Sequence, residues 1–143
     1  MTVKAILDEK GRDVVTIAAG KTLAEASALL AERGIGAVVV LSGDDRIGGI
    51  LSERDIVRAV GKEGAAALGK PVSSVMTARV KICHEESTVD EVMQIMTKGR
   101  FRHLPVEKDG RLDGIVSIGD VVKRRIEEVE REAADIRSYI GTA

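Results

Sequence analysis

The chain of 143 residues contains one pattern twice, and this duplication limits its possible folds more than any other feature. Thr22–Glu25 (TLAE) returns as Thr88–Glu91 (TVDE), and Gly49–Asp55 (GILSERD) returns as Gly114–Asp120 (GIVSIGD). The offset is 66 residues for the first pair and 65 for the second. A nearly constant offset predicts two half-domains of one design, which can pack face to face and form two related clefts.

Each copy is predicted to fold as β-α-β-β-α. Helices are indicated by capping residues and apolar positions at helical spacing, and strands by short apolar runs rich in β-branched residues. In the first copy, strands are expected at 14–17, 37–41 and 47–51, and helices at 22–33 and 52–61. In the second copy, strands are expected at 80–83, 101–106 and 112–116, and helices at 88–98 and from 117. Gly34 and Gly99 are the expected stops of the first helix in each copy.

The expected fold class is therefore α/β (α+β), with two pseudo-symmetric units packed sheet to sheet and an extended C-terminal helix. Similar short lead-in segments, 3–7 and 72–76, precede the two copies. The expected divisions are a first repeat with its lead-in, a linker with the second lead-in, a second repeat and a helical extension: 1–62, 63–77, 78–124 and 125–143.

The last helix is predicted to continue well past the length that the repeat requires. Its apolar residues step by 4, 3, 4, 3 and 4, the spacing of a coiled-coil seam: Val122, Ile126, Val129, Ala133, Ile136 and Ile140. The extension amounts to about four helical turns. It fits either a helix lying along its own domain or a self-association helix, and its length favours a homodimer.

The composition excludes several classes of function. Hydrophobic residues make up 44% and charged residues 31%, the net charge is −1, and Tyr139 and Phe101 are the only aromatics. This balance gives no field that attracts nucleic acid or a membrane surface, and few rings on which bases could stack. No apolar run approaches the ~20 residues that cross a bilayer, and the lone Cys83 reads as a core residue. We expect a cytoplasmic protein.

The duplicated segment Gly-aliphatic-aliphatic-Ser-x-x-Asp carries the candidate chemistry. It places Ser52 and Asp55, and again Ser117 and Asp120, at the start of a helix that follows a strand. A helix N-terminus offers unpaired N–H groups to a phosphate, and a carboxylate one turn later can accept ribose hydroxyls. Ser-x-x-Asp is equally a capping box, which any helix start can contain.

The ordered, duplicated set of motifs resembles a tandem CBS-domain module, named after the regulatory region of cystathionine β-synthase. The matching segments are Thr22–Ala26, Arg33–Val40, Gly49–Asp55, Thr88–Val92, Phe101–Val106 and Gly114–Asp120. The resemblance implies clefts that bind adenosyl ligands: AMP foremost, with ADP, ATP, NAD(H) or S-adenosylmethionine as further candidates. Val39 departs from the family pattern, since the matching position of the second repeat holds Pro105.

The resemblance also implies which residues meet in each cleft. The first cleft would contain Ser52, Arg54, Asp55, Ile82, Arg102 and His103. The second would contain Ser117, Asp120, Thr16, Gly36 and Ala37. Only the first gains guanidinium groups, because Gly119 stands where Arg54 does, so phosphorylated ligands should prefer it.

We interpret the chain as a non-enzymatic energy sensor that passes its signal to a protein partner in trans. The alternatives are a structural or interaction protein with empty clefts, which ligand binding would distinguish, and an enzyme, which ligand turnover would reveal. No nucleophile with an acid/base partner is evident in the sequence. His84, His103 and Cys83 lack the spacing of a zinc site, so no metal is expected.

Overall fold

The computed structural model of this chain describes residues 1–142, which form five helices and five strands. In chain order the elements are α1 (Val3–Lys10), β1 (Thr16–Ala18), α2 (Leu23–Arg33), β2 (Ala37–Ser42), β3 (Arg46–Ser52), α3 (Glu53–Glu63), α4 (Val89–Gly99), β4 (His103–Lys108), β5 (Arg111–Ser117) and α5 (Ile118–Thr142). Two short 3-10 helices, Gly64–Gly69 and Val72–Ser74, connect α3 to the second repeat. The mixed α/β class and the two tandem repeats are confirmed.

The strands form two small sheets that follow the duplication. β1 pairs parallel to β2 and β2 pairs antiparallel to β3, whereas β4 and β5 form an antiparallel pair of their own. Both hairpins shift register at equivalent points, after Val40 and after Val106. Strands β3 and β5 contact each other, so the two sheets meet along these strands.

The strand expected at 80–83 is wrong, because only a single parallel bridge between Cys83 and Val106 forms there. The amide of Val39 donates to the carbonyl of Val15 at 3.3 Å in the first sheet. Pro105 occupies the equivalent place in the second sheet and has no N–H to donate. The parallel ladder therefore extends in the first repeat and stops after one bridge in the second.

The helix boundaries agree with the capping signals, with two differences. Thr22 and Thr88 cap α2 and α4 by accepting hydrogen bonds from the amides of residues three positions later, at 3.2 and 3.0 Å. Helix α3 runs beyond Gly61 to Glu63. Helix α4 includes Gly99 and ends at Arg100, which takes the left-handed conformation with φ 57°. Gly99 serves packing instead, since a Cβ there would lie 2.1 Å from the ring of Phe101.

Each lead-in segment packs into the core of the opposite repeat. Val3 and Leu7 of α1 are buried with α4, β4 and β5 of the second repeat. Val72, Val75 and Met76 pack with α2, β2 and β3 of the first repeat. The backbone contacts are matched as well, because Leu23 N donates to Lys70 O at 2.9 Å and Val89 N donates to Met1 O at 3.1 Å. The two repeats are thus joined by an exchange of segments.

Helix α5 carries the predicted apolar seam on its exposed side. Its start is anchored, since Val121 is fully buried and Arg124 and Lys123 form ion pairs with Glu9 of α1. The seam residues are 41–66% exposed: Val122, Ile126, Val129, Ile136 and Ile140. Across residues 1–142, no helix combines the length and apolarity needed to cross a membrane.

Candidate functional site

A cleft of about 530 Å³ lies between the repeats, at the start of α3 and the approach to β4. Residues of both repeats line it: Gly36, Ala37, Ile50, Ser52, Glu53, Arg54, Asp55, Arg58, Thr77, Gly99, Arg100, Phe101, Arg102 and His103. Seven of these residues were predicted from the sequence for one or the other cleft: Gly36, Ala37, Ser52, Arg54, Asp55, Arg102 and His103. Its volume is within the range of pockets that hold small ligands.

Ser52 and Asp55 form a reciprocal capping box at the start of α3. The Ser52 hydroxyl accepts a hydrogen bond from the Asp55 amide at 3.3 Å, and Asp55 Oδ2 accepts from the Ser52 amide at 2.9 Å. The Ser52 hydroxyl also donates to Asp55 Oδ2, at 3.1 Å. All these bonds to the carboxylate use one oxygen, so Asp55 retains acceptor capacity towards the cleft. Capping and ligand binding are therefore compatible roles here.

Ser117 and Asp120 repeat this geometry at α5, but here Lys10 also binds the carboxylate, through the oxygen that accepts from the Ser117 amide. Lys10 Nζ donates to Asp120 Oδ2 at 2.7 Å and to the carbonyl of Ile115 at 3.1 Å. Partial burial alone would raise the pKa of Asp120, but hydrogen bonds from Lys10 and Ser117 outweigh it and lower that pKa. The second Ser–Asp pair thus differs from the first in having a lysine ammonium against its carboxylate, which offsets the negative charge there.

The structure corrects the expected division of residues between two clefts. Gly36 and Ala37 lie in the cleft of Ser52, not with Ser117 and Asp120. The cause is the hairpin register, which pairs Ala37 with Ser52 across β2 and β3. By the same register, His103 of β4 pairs with Ser117 of β5.

Two further predicted residues lie outside this cleft. Thr16 lines a separate groove of about 240 Å³, together with Leu41 and Leu112. Ile82 does not line the cleft either, because the chain around it forms no strand beside β4.

Four arginines converge on the cleft from its two sides: Arg54 and Arg58 from α3, and Arg100 and Arg102 from the segment before β4. Within residues 1–142, none of their guanidinium groups has a hydrogen bond or ion pair. The sequence interpretation missed Arg58 and Arg100. Arg58 could have been found from its position one turn after Arg54, and Arg100 from its alignment with the helix stop Gly34.

His103 lies half-buried at the junction of the two repeats. Burial lowers its pKa, and the nearby Lys10 and Arg102 lower it further, against the opposing charges of Asp120 and Glu53. The imidazole is therefore neutral at pH 7 and can donate or accept a hydrogen bond.

Other reactive side chains do not assemble into a site. In the part of the chain described, no group of three or more His, Cys, Asp or Glu residues is placed to hold a metal ion. Burial raises the pKa of Cys83 to about 12, so its thiol stays protonated at neutral pH.

Comparison with known proteins identifies the family. The sequence profile of the CBS domain matches twice, at residues 3–62 and 72–127. The chain belongs to the CBS domain family. The two matches coincide with the duplicated motifs, so this CBS pair contains both repeats of the arrangement predicted from the sequence.

Solved structures of CBS proteins resemble the whole fold. A CBS-domain containing protein from Agrobacterium tumefaciens is 54% identical, with a TM-score of 0.84 over 87% of this chain and 99% of that one. The CBS domain pair of protein MJ0100, solved in complex with 5′-methylthioadenosine and S-adenosyl-L-methionine, is 26% identical. Its TM-score is 0.79 over 90% of this chain and 98% of that one.

Curated relatives share the sequence over part or most of their length. An uncharacterised 17.7 kDa protein from Acidianus ambivalens is 40% identical over 71% of this chain, which spans 61% of that relative. The mitochondrial CBS domain-containing protein CBSX3 of Arabidopsis thaliana is 31% identical over 97% of this chain and 71% of its own length. Inosine-5′-monophosphate dehydrogenase of Methanocaldococcus jannaschii is 30% identical over 80% of this chain, but only 22% of that enzyme.

Proposed function

We propose that this CBS pair is a non-enzymatic regulatory module that binds an adenine nucleotide in the cleft around Ser52 and Asp55. The observation that carries the proposal is the convergence, in one cleft, of a capped helix N-terminus, a partly unoccupied carboxylate and four guanidinium groups that have no ion pair among the described residues. The presence of adenosyl ligands in the related structure of MJ0100 supports the same class of ligand.

The parts of the cleft fit the parts of a nucleotide. The amide and the guanidinium of Arg54 suit the phosphate, whereas the neighbouring amides of Glu53 and Asp55 already donate to Gly36 O and to the Ser52 hydroxyl. Asp55 suits the ribose hydroxyls, as acidic residues do in dinucleotide-binding folds. Ile50 and Phe101 supply apolar surface of the kind on which an adenine ring can pack.

Charge favours AMP over S-adenosylmethionine as the simplest ligand. The cleft contains Arg54, Arg58, Arg100 and Arg102 against the carboxylates of Glu53 and Asp55. A phosphate complements this excess of positive charge, whereas the positive sulfonium of S-adenosylmethionine does not. NAD(H) stays a candidate because it also contains an adenosine phosphate.

We propose one ligand per chain. The candidate site around Ser117 and Asp120 has its carboxylate engaged by Lys10, and Gly36 and Ala37 belong to the other cleft. Occupation of a single site also fits the expectation that phosphorylated ligands prefer the cleft around Ser52 and Asp55 to the one around Ser117 and Asp120.

Isothermal titration calorimetry with adenosine, AMP, NAD and S-adenosylmethionine tests this function. We expect AMP to bind with a stoichiometry near one and with higher affinity than adenosine or S-adenosylmethionine. A lack of binding by every adenosyl ligand at millimolar concentration would overturn the proposal and favour an interaction protein with empty clefts.

The module would act as a homodimer that passes its signal to a protein target in trans. The exposed seam of α5 supports dimerisation, because an unpartnered apolar stripe of coiled-coil spacing is typical of a helix that associates. We place the module in the cytoplasm, where a lone buried thiol such as Cys83 stays reduced.

A further inference from the structure

We propose that the cleft selects nucleotides with two or more phosphates, ADP or ATP over AMP, through Arg58 and Arg100. This inference rests on the proposed nucleotide site and deepens it. It depends on an internal comparison that the duplication makes possible, because each repeat serves as a reference for the other.

Three of the four cleft arginines stand where the opposite repeat has glycine. Arg100 corresponds to Gly34, Arg102 to Gly36 and Arg54 to Gly119, when the repeats are aligned on their shared motifs. Both repeats form the same helices and hairpins with either residue type. The fold therefore does not require arginine at these three positions. All three arginines place positive charge in the same cleft.

Arg100 occupies a backbone conformation that disfavours it. Gly34 ends α2 with φ 63°, and Arg100 ends α4 with φ 57°, so both adopt the left-handed region. Glycine adopts this region at little cost, whereas a residue with a Cβ does so at a penalty. An arginine kept where the first repeat uses glycine points to a function for its side chain, and that side chain lines the cleft.

Arg58 extends the positive charge beyond the reach of a single phosphate. It follows Arg54 on the same face of α3, about 6 Å further from the helix N-terminus. One phosphate at the start of α3 would be bound by the amide and the guanidinium of Arg54. Arg58 and, from the other side, Arg100 would then have no anionic partner unless the ligand continued as a phosphate chain.

The placement of the charges supports the same conclusion. Glu53 and Asp55 are the cleft's only acidic residues among those described, so its four arginines leave a formal excess of two positive charges. A monophosphate can match that sum, but the arginines come from two sides of the cleft. A di- or triphosphate chain offers further oxygens for charge-assisted hydrogen bonds with Arg58 and Arg100.

The test is calorimetry of the full chain with adenosine, AMP, ADP and ATP at low and high salt. Affinity should rise with each added phosphate, by at least tenfold from AMP to ATP. This gain should shrink at high ionic strength, where charge interactions are screened. Equal affinity for AMP and ATP would overturn the inference while leaving the nucleotide site intact.

The variant for this test is Arg58→Ala/Arg100→Gly. Glycine relieves the left-handed backbone at position 100, so the variant should stay folded. We expect at least tenfold weaker ATP binding and less than threefold weaker AMP binding. The matched control, Arg33→Ala/Arg111→Ala, removes the same charge from exposed positions outside the cleft and should change neither affinity.

The remaining outcomes separate this inference from the proposed function. Equal losses of AMP and ATP affinity in the variant would overturn a specific role for Arg58 and Arg100. Failure of adenosine, AMP, ADP and ATP alike to bind the parent chain would overturn the nucleotide site itself, and the phosphate selectivity with it. Inorganic tripolyphosphate binding as tightly as ATP would support the phosphate-chain site and overturn adenosyl recognition.

Discussion

At the scale of single residues, the equivalent aspartates of the two repeats have different surroundings. Asp55 faces an open cleft, whereas Asp120 is bound by Lys10. The capping motif predicts both carboxylates at helix starts, and both are found there. No local pattern predicts Lys10, because its partner lies 110 residues away and becomes a neighbour only through the packing of α1.

Replacement of Asp55 by alanine should weaken AMP binding by about 1.5–3 kcal/mol, the range for hydrogen bonds to a charged group. The physical reason is the loss of the carboxylate that would accept the ribose hydroxyls. Calorimetry measures the effect, and circular dichroism confirms that α3 remains folded without its full capping box. Asp120→Ala is the matched control and should bind AMP as the parent does; similar losses in both variants would contradict the single-site interpretation.

Replacement of Lys10 by methionine should reduce the free energy of unfolding at pH 7 by about 0.5–1 kcal/mol, the scale of a partly exposed ion pair. The lowered pKa of Asp120 fixes the sign of the pH dependence. A depressed carboxylate pKa stabilises the fold above the unfolded-state value, and this contribution disappears as the pH falls through the folded-state value.

The difference between parent and Lys10→Met should consequently be largest near neutral pH and shrink below about pH 4. Urea unfolding at several pH values measures it. Lys4→Met is the control, since Lys4 lies on the same helix, is exposed and has no ion pair within the described residues. A difference that grows on acidification would show that Lys10 acts through a group other than Asp120.

At the scale of secondary-structure elements, sequence periodicity predicted the helices better than the strands. Capping threonines and apolar spacing located α2 and α4, since both signals are local. The strand expected before Cys83 does not form, because pairing with β4 would need a backbone N–H at position 105, and Pro105 has none. Whether the segment before Cys83 forms a strand thus depends on Pro105, which lies 22 residues further along the chain.

Local sequence patterns did not predict the exchange of lead-in segments either. The motif glycines Gly49 and Gly114 make room for the exchanged segments. A Cβ at Gly49 would lie 2.6 Å from the carbonyl oxygen of Thr77, and one at Gly114 would lie 2.8 Å from the side chain of Leu7. These glycines therefore admit the opposite lead-in, a role distinct from the ligand chemistry for which the motif was singled out.

Helix α5 should mediate dimerisation through its exposed apolar seam. The parent chain is expected to be a dimer at micromolar concentration in analytical ultracentrifugation. Ile126→Asp/Ile136→Asp should be monomeric, because it places charges in the seam at positions that are 52% and 60% exposed in the single chain. Arg131→Gln/Asp135→Asn, which alters exposed polar positions of the same helix away from the seam, should leave the dimer intact. A monomeric parent would contradict the seam's proposed role.

At the scale of the whole molecule, the two repeats should unfold together. Each core is completed by the lead-in of the other repeat, so disruption of one exposes apolar surface in its partner. Differential scanning calorimetry should show one transition whose calorimetric and van't Hoff enthalpies agree. Two separable transitions would indicate that the repeats are independent units.

The same measurement tests ligand binding. AMP at one hundred times its dissociation constant should stabilise the fold by about 2.7 kcal/mol.

The exchange of lead-in segments also bears on how such a duplication can be maintained. A chain that lost either copy would lose a core-filling segment of the copy that remained. Deletion of one half is therefore disfavoured even where only one half carries a useful ligand site. The half that contains Asp120, whose carboxylate is bound by Lys10, would then be retained for its architecture even if only the other half bound a ligand.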